Sequence, residues 1–142
     1  MPKMKLEIIT VERALLSDEV DLLVAPGIDG ELGILPHHAP LLTALKPGEL
    51  RIVKEGKDQF LAVGGGFLEV IANEVKVLAD SAERADEIDE ARAQAAMKRA
   101  QEAIANRATD VSLEQALAAL RRAEVRIAVA RRRSGGARGG PG

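Results

Sequence analysis

A chain of 142 residues, 46% of them hydrophobic and with a net charge of −2, has room for one domain with an appendage. It is too weakly charged to be built as a whole for polyanions. The absence of cysteine excludes disulfide frameworks and thiolate metal sites, and two phenylalanines as the sole aromatics leave a thin core of aliphatic residues rather than a deep aromatic pocket. Charge is placed unevenly: residues 1–106 hold 12 Lys/Arg against 19 Asp/Glu, a balance of −7, and residues 107–142 hold 8 against 3, or +5. A basic appendage on an acidic body points to an acidic partner or ligand for the tail. The amino terminus lacks an apolar leader and no apolar run approaches about 18 residues, so the expected location is cytosolic, with any membrane association made through a partner.

In chain order, Met4–Val11 alternates apolar and polar residues as a strand with one wet face does. Val20–Ala25 is an apolar run closed by Pro26-Gly27, and Gly33–Leu35 ends at Pro36. Leu41–Leu45 ends at Lys46-Pro47-Gly48, then Leu50–Lys54 leads to a Glu55-Gly56 turn. Gln59–Val63, the triplet Gly64-Gly65-Gly66, Phe67–Ile71, a turn at Asn73 and Val75–Ala79 follow. The triplet lies between strands rather than before a helix, so it reads as a bulge or close-packing point and not as a phosphate cradle. Short, evenly spaced strands with Gly/Pro punctuation predict an antiparallel sandwich.

Beyond Asp80 the period changes. Glu87–Asn106 has no Gly or Pro and is rich in Ala, Glu, Arg and Gln, which predicts a helix with Asp86 as N-cap and acids in its first turn. Arg107–Asp110 reads as a turn, and Ser112 with Gln115 offers a capping box for a second helix to about Arg133. Each helix is expected to span about 30 Å, and together they form an antiparallel hairpin. The fold class is therefore α+β: an N-terminal antiparallel β-sandwich (1–84), a C-terminal two-helix hairpin (85–133) and a Gly/Arg tail (134–142) expected to be disordered.

At 3.6 residues per turn, Ile88, Asp89, Arg92, Ala96, Arg99 and Ala103 share one face of the first helix. On the second, Arg122 and Arg126 share a side with Gln115 and Ala119, roughly opposite Leu113, Leu117, Leu120 and Ile127. Four arginines from antiparallel helices suit a polyanion such as a triphosphate, because guanidinium pairs bidentately with phosphate oxygens. A charged stripe on an Ala-rich helix is equally the mark of a solvated face held by i,i+4 pairs. His37-His38 has no carboxylate at ligand spacing, which favours a contact role over metal ligation. No P-loop, Ser/His/Asp set or paired carboxylates can be assembled, so nothing points to catalysis.

Three segments carry a resemblance. Gly30–Leu42 (GELGILPHHAPLL) with Leu45–Gly48 (LKPG), Val63–Val70 (VGGGFLEV) with Val75–Ala79 (VKVLA), and Ala82–Ala93 (AERADEIDEARA) resemble, in order, the epsilon subunits of bacterial-type rotary (F-type) ATP synthases. The similarity runs from about residue 4 to residue 130. It implies a sandwich of about ten strands plus a helix hairpin, in a non-catalytic subunit of the central stalk. Such a subunit joins gamma to the c-ring, couples rotation to proton or sodium flow, and lies peripherally at the cytoplasmic face of the bacterial inner membrane. Glu31 and His38 match the family's c-ring contacts.

The resemblance further implies that the hairpin extends into the alpha/beta catalytic head and restrains ATP hydrolysis. Its second helix would there meet an acidic segment of the beta subunit, here through Arg121, Arg122, Arg126, Arg131, Arg132 and Arg133. No cofactor is required, but ATP is implied as a regulatory ligand of the folded hairpin. Ile88, Asp89, Arg92 and Ala93 match the family's motif of Ile or Leu, Asp, two free positions, Arg and Ala; Glu83, Arg99, Arg122 and Arg126 match its accompanying acid and arginines. This chain departs from the family in carrying His37-His38 where Gly-His is common, so a positive φ at position 37 would carry a cost. Val11–Ala14 replaces a Pro-containing turn, and the tail is longer and more basic. Two alternatives from other classes stand beside this one: an Arg/Gly-tailed nucleic-acid module, against which the acidic, aromatic-poor body argues, and a nucleotide sensor acting without the synthase.

Overall fold

The computed structural model describes residues 2–106 and 110–139; side chains at 110, 111 and beyond 132 are not among those described. Eight strands are present among the described residues: β1 (Met4–Thr10), β2 (Ala14–Val20), β3 (Leu22–Gly27), β4 (Gly30–Ile34), β5 (Leu41–Lys54), β6 (Lys57–Ile71), β7 (Glu74–Ala79) and β8 (Ala82–Arg84). They form one sheet in the order β2-β1-β7-β6-β5-β3-β4, with β8 on β6. Among these pairings all are antiparallel except β1 with β7, which is parallel from Lys5↔Glu74 to Thr10↔Ala79.

The punctuation at Lys46-Pro47-Gly48 and at the glycine triplet does not end strands. β5 and β6 run through it as a hairpin of 14 and 15 residues, in unbroken register from Leu41↔Val70 to Lys54↔Lys57. Pro47 stands opposite Gly64, and Leu45 opposite Gly66. Here burial changes parity: Leu61 and Val63 point into the core before the triplet, Leu68 and Val70 after it. Because successive side chains alternate faces, the ribbon must twist at this point, carrying it from one layer of the sandwich to the other. A Cβ at Gly66 would fall on the Leu78 carbonyl oxygen, and Gly65 and Gly66 both have positive φ. Counting each half of β5 and β6 separately turns eight strands into ten. The hairpin closes through Glu55-Gly56, and β6 joins β7 through Ala72-Asn73; all four of these residues have positive φ, as two-residue turns matched to strand twist require.

Inside lies one aliphatic cluster of 18 buried residues drawn from β1 through β7, among them Leu6, Ile8, Leu23, Ile34, Leu50, Leu61, Leu68 and Val77, with no aromatic member. Two strands escape the sequence reading. β2 mixes Ser17, Asp18 and Glu19 with Leu15 and Val20, and β8 is three residues long.

A 3-10 turn, Ala85–Glu87, leads into α1 (Glu90–Asn106). The N-cap is Asp89, not Asp86: the Arg92 amide donates to Asp89 Oδ1 at 3.1 Å, and the Ala93 amide to the Asp89 carbonyl at 3.0 Å. The second helix, α2 (Asp110–Gly139), begins before Ser112, so Ser112 lies inside it rather than capping it, and its backbone continues six residues past Arg133. Of the turn expected at residues 107–110, Asp110 is already helical and residues 107–109 lie outside the described ones; of the tail expected to be disordered, 134–139 have helical backbone and 140–142 lie outside the described residues. With 17 and 30 residues, the helices span about 26 and about 45 Å rather than equal lengths. Arg131, in the C-terminal half of α2, reaches Glu90 at the start of α1 (3.6 Å), as antiparallel helices require. Buried alanines recur every seventh residue, at Ala93 and Ala100 on α1 and at Ala116, Ala123 and Ala130 on α2, a period that keeps small side chains along one seam. Of the aliphatic residues opposite Arg122 and Arg126, Ile127 is buried, while Leu117 is exposed.

Candidate functional site

The hairpin lies folded down on the outer face of β5 and β6. Ala62, Ile88, Val129 and Ala130 form a small buried cluster there, with Phe60, Ala85 and Val125 packed around it. Alanine walls keep the helices close without filling the space. A cleft of about 680 Å³ remains between α1, α2, β6 and β8, within the size range of small-molecule sites. Ala96, Ala100 and Ala103 line it from α1, and Ala116, Ala119 and Ala123 from α2. Gly64 and Ser81 lie on the sheet side; a Cβ at Gly64 would collide with the Ser81 hydroxyl and come within 3.6 Å of Arg122 Cδ.

Its charged lining is Glu83, Arg99, Arg122 and Arg126, three cations against one anion, for a local balance of +2. Arg126 donates from Nε to Glu83 Oε1 (2.6 Å) and from Nη2 to Oε2 (3.2 Å). Both partners are half-buried, and the two-point geometry fixes the guanidinium plane. Gln115 and Ser112, in the first turns of α2, also line the cleft and add polar groups to it. The arrangement concentrates positive charge in a small-walled groove, which suits a polyanion carrying an apolar or planar group.

Four of the matched positions do not line the cleft: the structure brings Glu83, Arg99, Arg122 and Arg126 together there, but not Ile88, Asp89, Arg92 or Ala93. Ile88 is buried in the cluster beneath α2, Asp89 caps α1, and Ala93 is fully buried. Ile88 and Ala93 stand at the N′ and N4 positions around the Asp89 cap, the arrangement of a hydrophobic staple. Arg92 is exposed, one turn before Ala96. Of the arginines in the basic tail, Arg121 is exposed, Arg131 pairs with Glu90, and Arg132 pairs with Glu49; the Arg133 side chain lies outside those described. Glu49 and Phe60 were missed by sequence reasoning, since neither position carries a pattern of its own.

At the other site, Glu31 is exposed on β4 opposite Pro26. His38 donates its amide to the Leu35 carbonyl (3.1 Å), and its Nδ1 lies 2.7 Å from the Ala39 carbonyl oxygen. His37 has φ +67°, the left-handed backbone anticipated for that position, and its amide donates to Asn73 Oδ1 at 2.8 Å. Ile28 and Leu35 are exposed in the flanking segments. A separate exposed apolar group, Leu42, Phe67 and Leu78, occupies adjoining strands, with Phe67 directly opposite Leu78.

A β-sandwich followed by a two-helix hairpin is the domain order of one class of rotary-machine subunit. Residues 3–85 match the family ATP synthase, Delta/Epsilon chain, beta-sandwich domain, and residues 86–131 match ATP synthase, Delta/Epsilon chain, long alpha-helix domain. The chain belongs to this family of ATP synthase epsilon chains. It is 54% identical over 129 residues to the ATP synthase epsilon chain of Herpetosiphon aurantiacus, covering 91% of this chain and 95% of that one. With the ATP synthase epsilon chain of Dehalococcoides mccartyi it shares 56% identity over 135 residues, covering 94% and 96%. Its fold is similar to a chain in the cryo-EM structure of the Euglena gracilis mitochondrial ATP synthase (OSCP/F1/c-ring). The TM-score is 0.77 at 24% identity, over 87% of this chain and 79% of that one.

Proposed function

We propose that the chain is a non-catalytic central-stalk subunit of a bacterial proton- or sodium-translocating ATP synthase, joining gamma to the c-ring and restraining ATP hydrolysis through a hairpin that ATP holds folded. The observation that carries the regulatory part is the cleft, where Glu83, Arg99, Arg122 and Arg126 come together only because the hairpin is down. A triphosphate seated among these arginines bridges both helices and the sheet, so it stabilises the folded form by its differential affinity for it. Ile88, Asp89 and Ala93 act by fixing the start of α1, and Arg92 extends the basic rim beyond the cleft.

The stalk part is supported by the exposed Leu42–Phe67–Leu78 patch, of the kind that marks a protein interface. We assign it to gamma. Glu31 and His38, flanked by Ile28 and Leu35, face the c-ring in this reading. None of the described helices is long and apolar enough to cross a membrane; in this reading the chain is held at the cytoplasmic face by its partners. When the hairpin extends, Arg121, Arg122, Arg126, Arg131, Arg132 and Arg133 become available to the beta subunit in the alpha/beta head.

Calorimetric titration with ATP tests the site. Saturable binding is expected, weakened at least about tenfold in Arg122→Ala and in Arg126→Ala, as loss of a charge-assisted contact implies. Absence of binding by the unaltered chain at millimolar ATP rejects the nucleotide reading. Removing residues 85–142 from the reconstituted synthase is expected to raise ATPase activity; unchanged activity rejects the inhibitory role and leaves the stalk role.

A further inference from the structure

Beyond the cleft, α2 touches the sheet at a second charged point. Arg132 donates from Nε to Glu49 Oε2 (2.7 Å) and from Nη2 to Glu49 Oε1 (3.0 Å), while its guanidinium carbon stands 4.9 Å from the centre of the Phe60 ring. Glu49 lies opposite Ala62 across β5 and β6, and Phe60 lies two residues before Ala62 on the same face, so carboxylate and ring sit diagonally under one side chain. The neighbouring cation does not compete for Glu49, because Arg51 is engaged by Asp58 at 3.2 Å. Arg132 lies six residues past Arg126, about 9 Å along the helix, and neither it, Glu49 nor Phe60 lines the cleft.

We propose that Glu49 and Phe60 form a latch that grips Arg132 and holds the C-terminal part of α2 on the sheet, whatever occupies the cleft. The seam it guards is thin. Ala62, Ile88, Val129 and Ala130 are the buried members of that cluster, and two of them are alanines. With so little apolar surface to separate, a bidentate ion pair stacked on an aromatic ring adds to what keeps the hairpin down. Glu49 holds the Arg132 guanidinium further toward its charged form. Three arginines of α2 are neutralised by carboxylates of this same chain: Arg126 by Glu83, Arg131 by Glu90 and Arg132 by Glu49. An acidic surface on a partner must displace Glu49 to engage Arg132, so docking on the sheet and docking outside are mutually exclusive. That exclusion rests on the inhibitory reading above; the latch itself does not.

The chain has no cysteine, so a single introduced thiol reports opening without background. Ala62→Cys places it beneath α2, and Val70→Cys places a control in the sandwich core. Alkylation rates are measured on the full chain without nucleotide. Glu49→Gln is expected to speed labelling at position 62 about fivefold, and Phe60→Leu about threefold, with position 70 unchanged. The charge-exchanged pair, Glu49→Arg with Arg132→Glu, is expected to recover part of the loss. An unaltered rate at position 62 in Glu49→Gln, or equal acceleration at position 70, overturns the latch; so does failure of the exchanged pair to label more slowly than Glu49→Gln. Adding ATP to the parent Ala62→Cys chain is a separate arm: no slowing there counts against the nucleotide reading alone.

Discussion

Position 37 holds a histidine on backbone that favours glycine, with φ +67° and its amide tied to Asn73. Non-glycine residues incur roughly 1–2 kcal/mol there. His37→Gly is therefore expected to stabilise the fold by about 1 kcal/mol in denaturant unfolding, reduced somewhat by the freer unfolded chain. Asp18 and Asp21 each hold their carboxyls below the usual range. The Lys54 hydrogen bond and the Glu19 amide act on Asp18, and the Glu55 amide and Lys3 act on Asp21. A lowered folded pKa contributes stability in full above the ordinary carboxyl range near 4 and loses it as pH falls through the folded value. Lys54, raised by Asp18, loses its share only as pH rises beyond the ordinary lysine range. Asp18→Asn should thus lower the urea midpoint at about pH 7, with the gap to the parent closing as pH falls through the lowered folded value of Asp18. The Asp89 cap makes a further separable prediction. Asp89→Ala should cost about 1 kcal/mol of stability while Asp89→Asn, which can still cap, costs little. A cap here was not legible in the sequence, because Asp86, Glu87, Asp89 and Glu90 offer several equivalent acids and the 3-10 turn carries no pattern.

Among elements, the twisted ribbon of β5 and β6 is where local reasoning went furthest astray. In sequence, Pro47-Gly48 looks like a strand end and the glycine triplet like a bulge between two strands, since Gly and Pro punctuate turns and bends alike. Only pairing across the ribbon, Pro47 against Gly64, shows that two punctuation marks meet at one bend. The close-packing role of the triplet was legible, and it makes Gly66 intolerant. Gly66→Ala, with positive φ and a Cβ directed at the Leu78 carbonyl, should cost about 3 kcal/mol or more. The expected sign is a lower thermal midpoint with unchanged helix content. In the hairpin, the arginine faces of both helices were legible from the 3.6-residue period, because spacing alone places Arg99, Arg122 and Arg126. Their meeting with Glu83 depends on how the hairpin docks, which only the resemblance supplied. The alanine heptads were visible as spacing but silent as signal, because alanine is common in any helix.

For the whole molecule, the two apolar clusters differ greatly in size. Eighteen buried residues hold the sandwich, and all lie between Met4 and Ala79, while four hold the hairpin to it. Residues 1–84 are expected to unfold cooperatively on their own, with a thermal midpoint close to that of the full chain. A molten or aggregated fragment would show that the hairpin is needed for folding. The parallel pairing of β1 with β7 also sets an order on the life of the nascent chain. Lys5 finds Glu74, and Asn73 donates its side-chain amide to the Lys3 carbonyl (2.9 Å), so the first strand waits for a partner some seventy residues downstream. Meanwhile the β5–β6 ribbon, closed by a two-residue turn, has its partner at once. Contacts of such long sequence separation form late. The start of this protein is thus stitched in near the end of sandwich folding, and until β7 has been synthesised one edge of β1 stays unpaired.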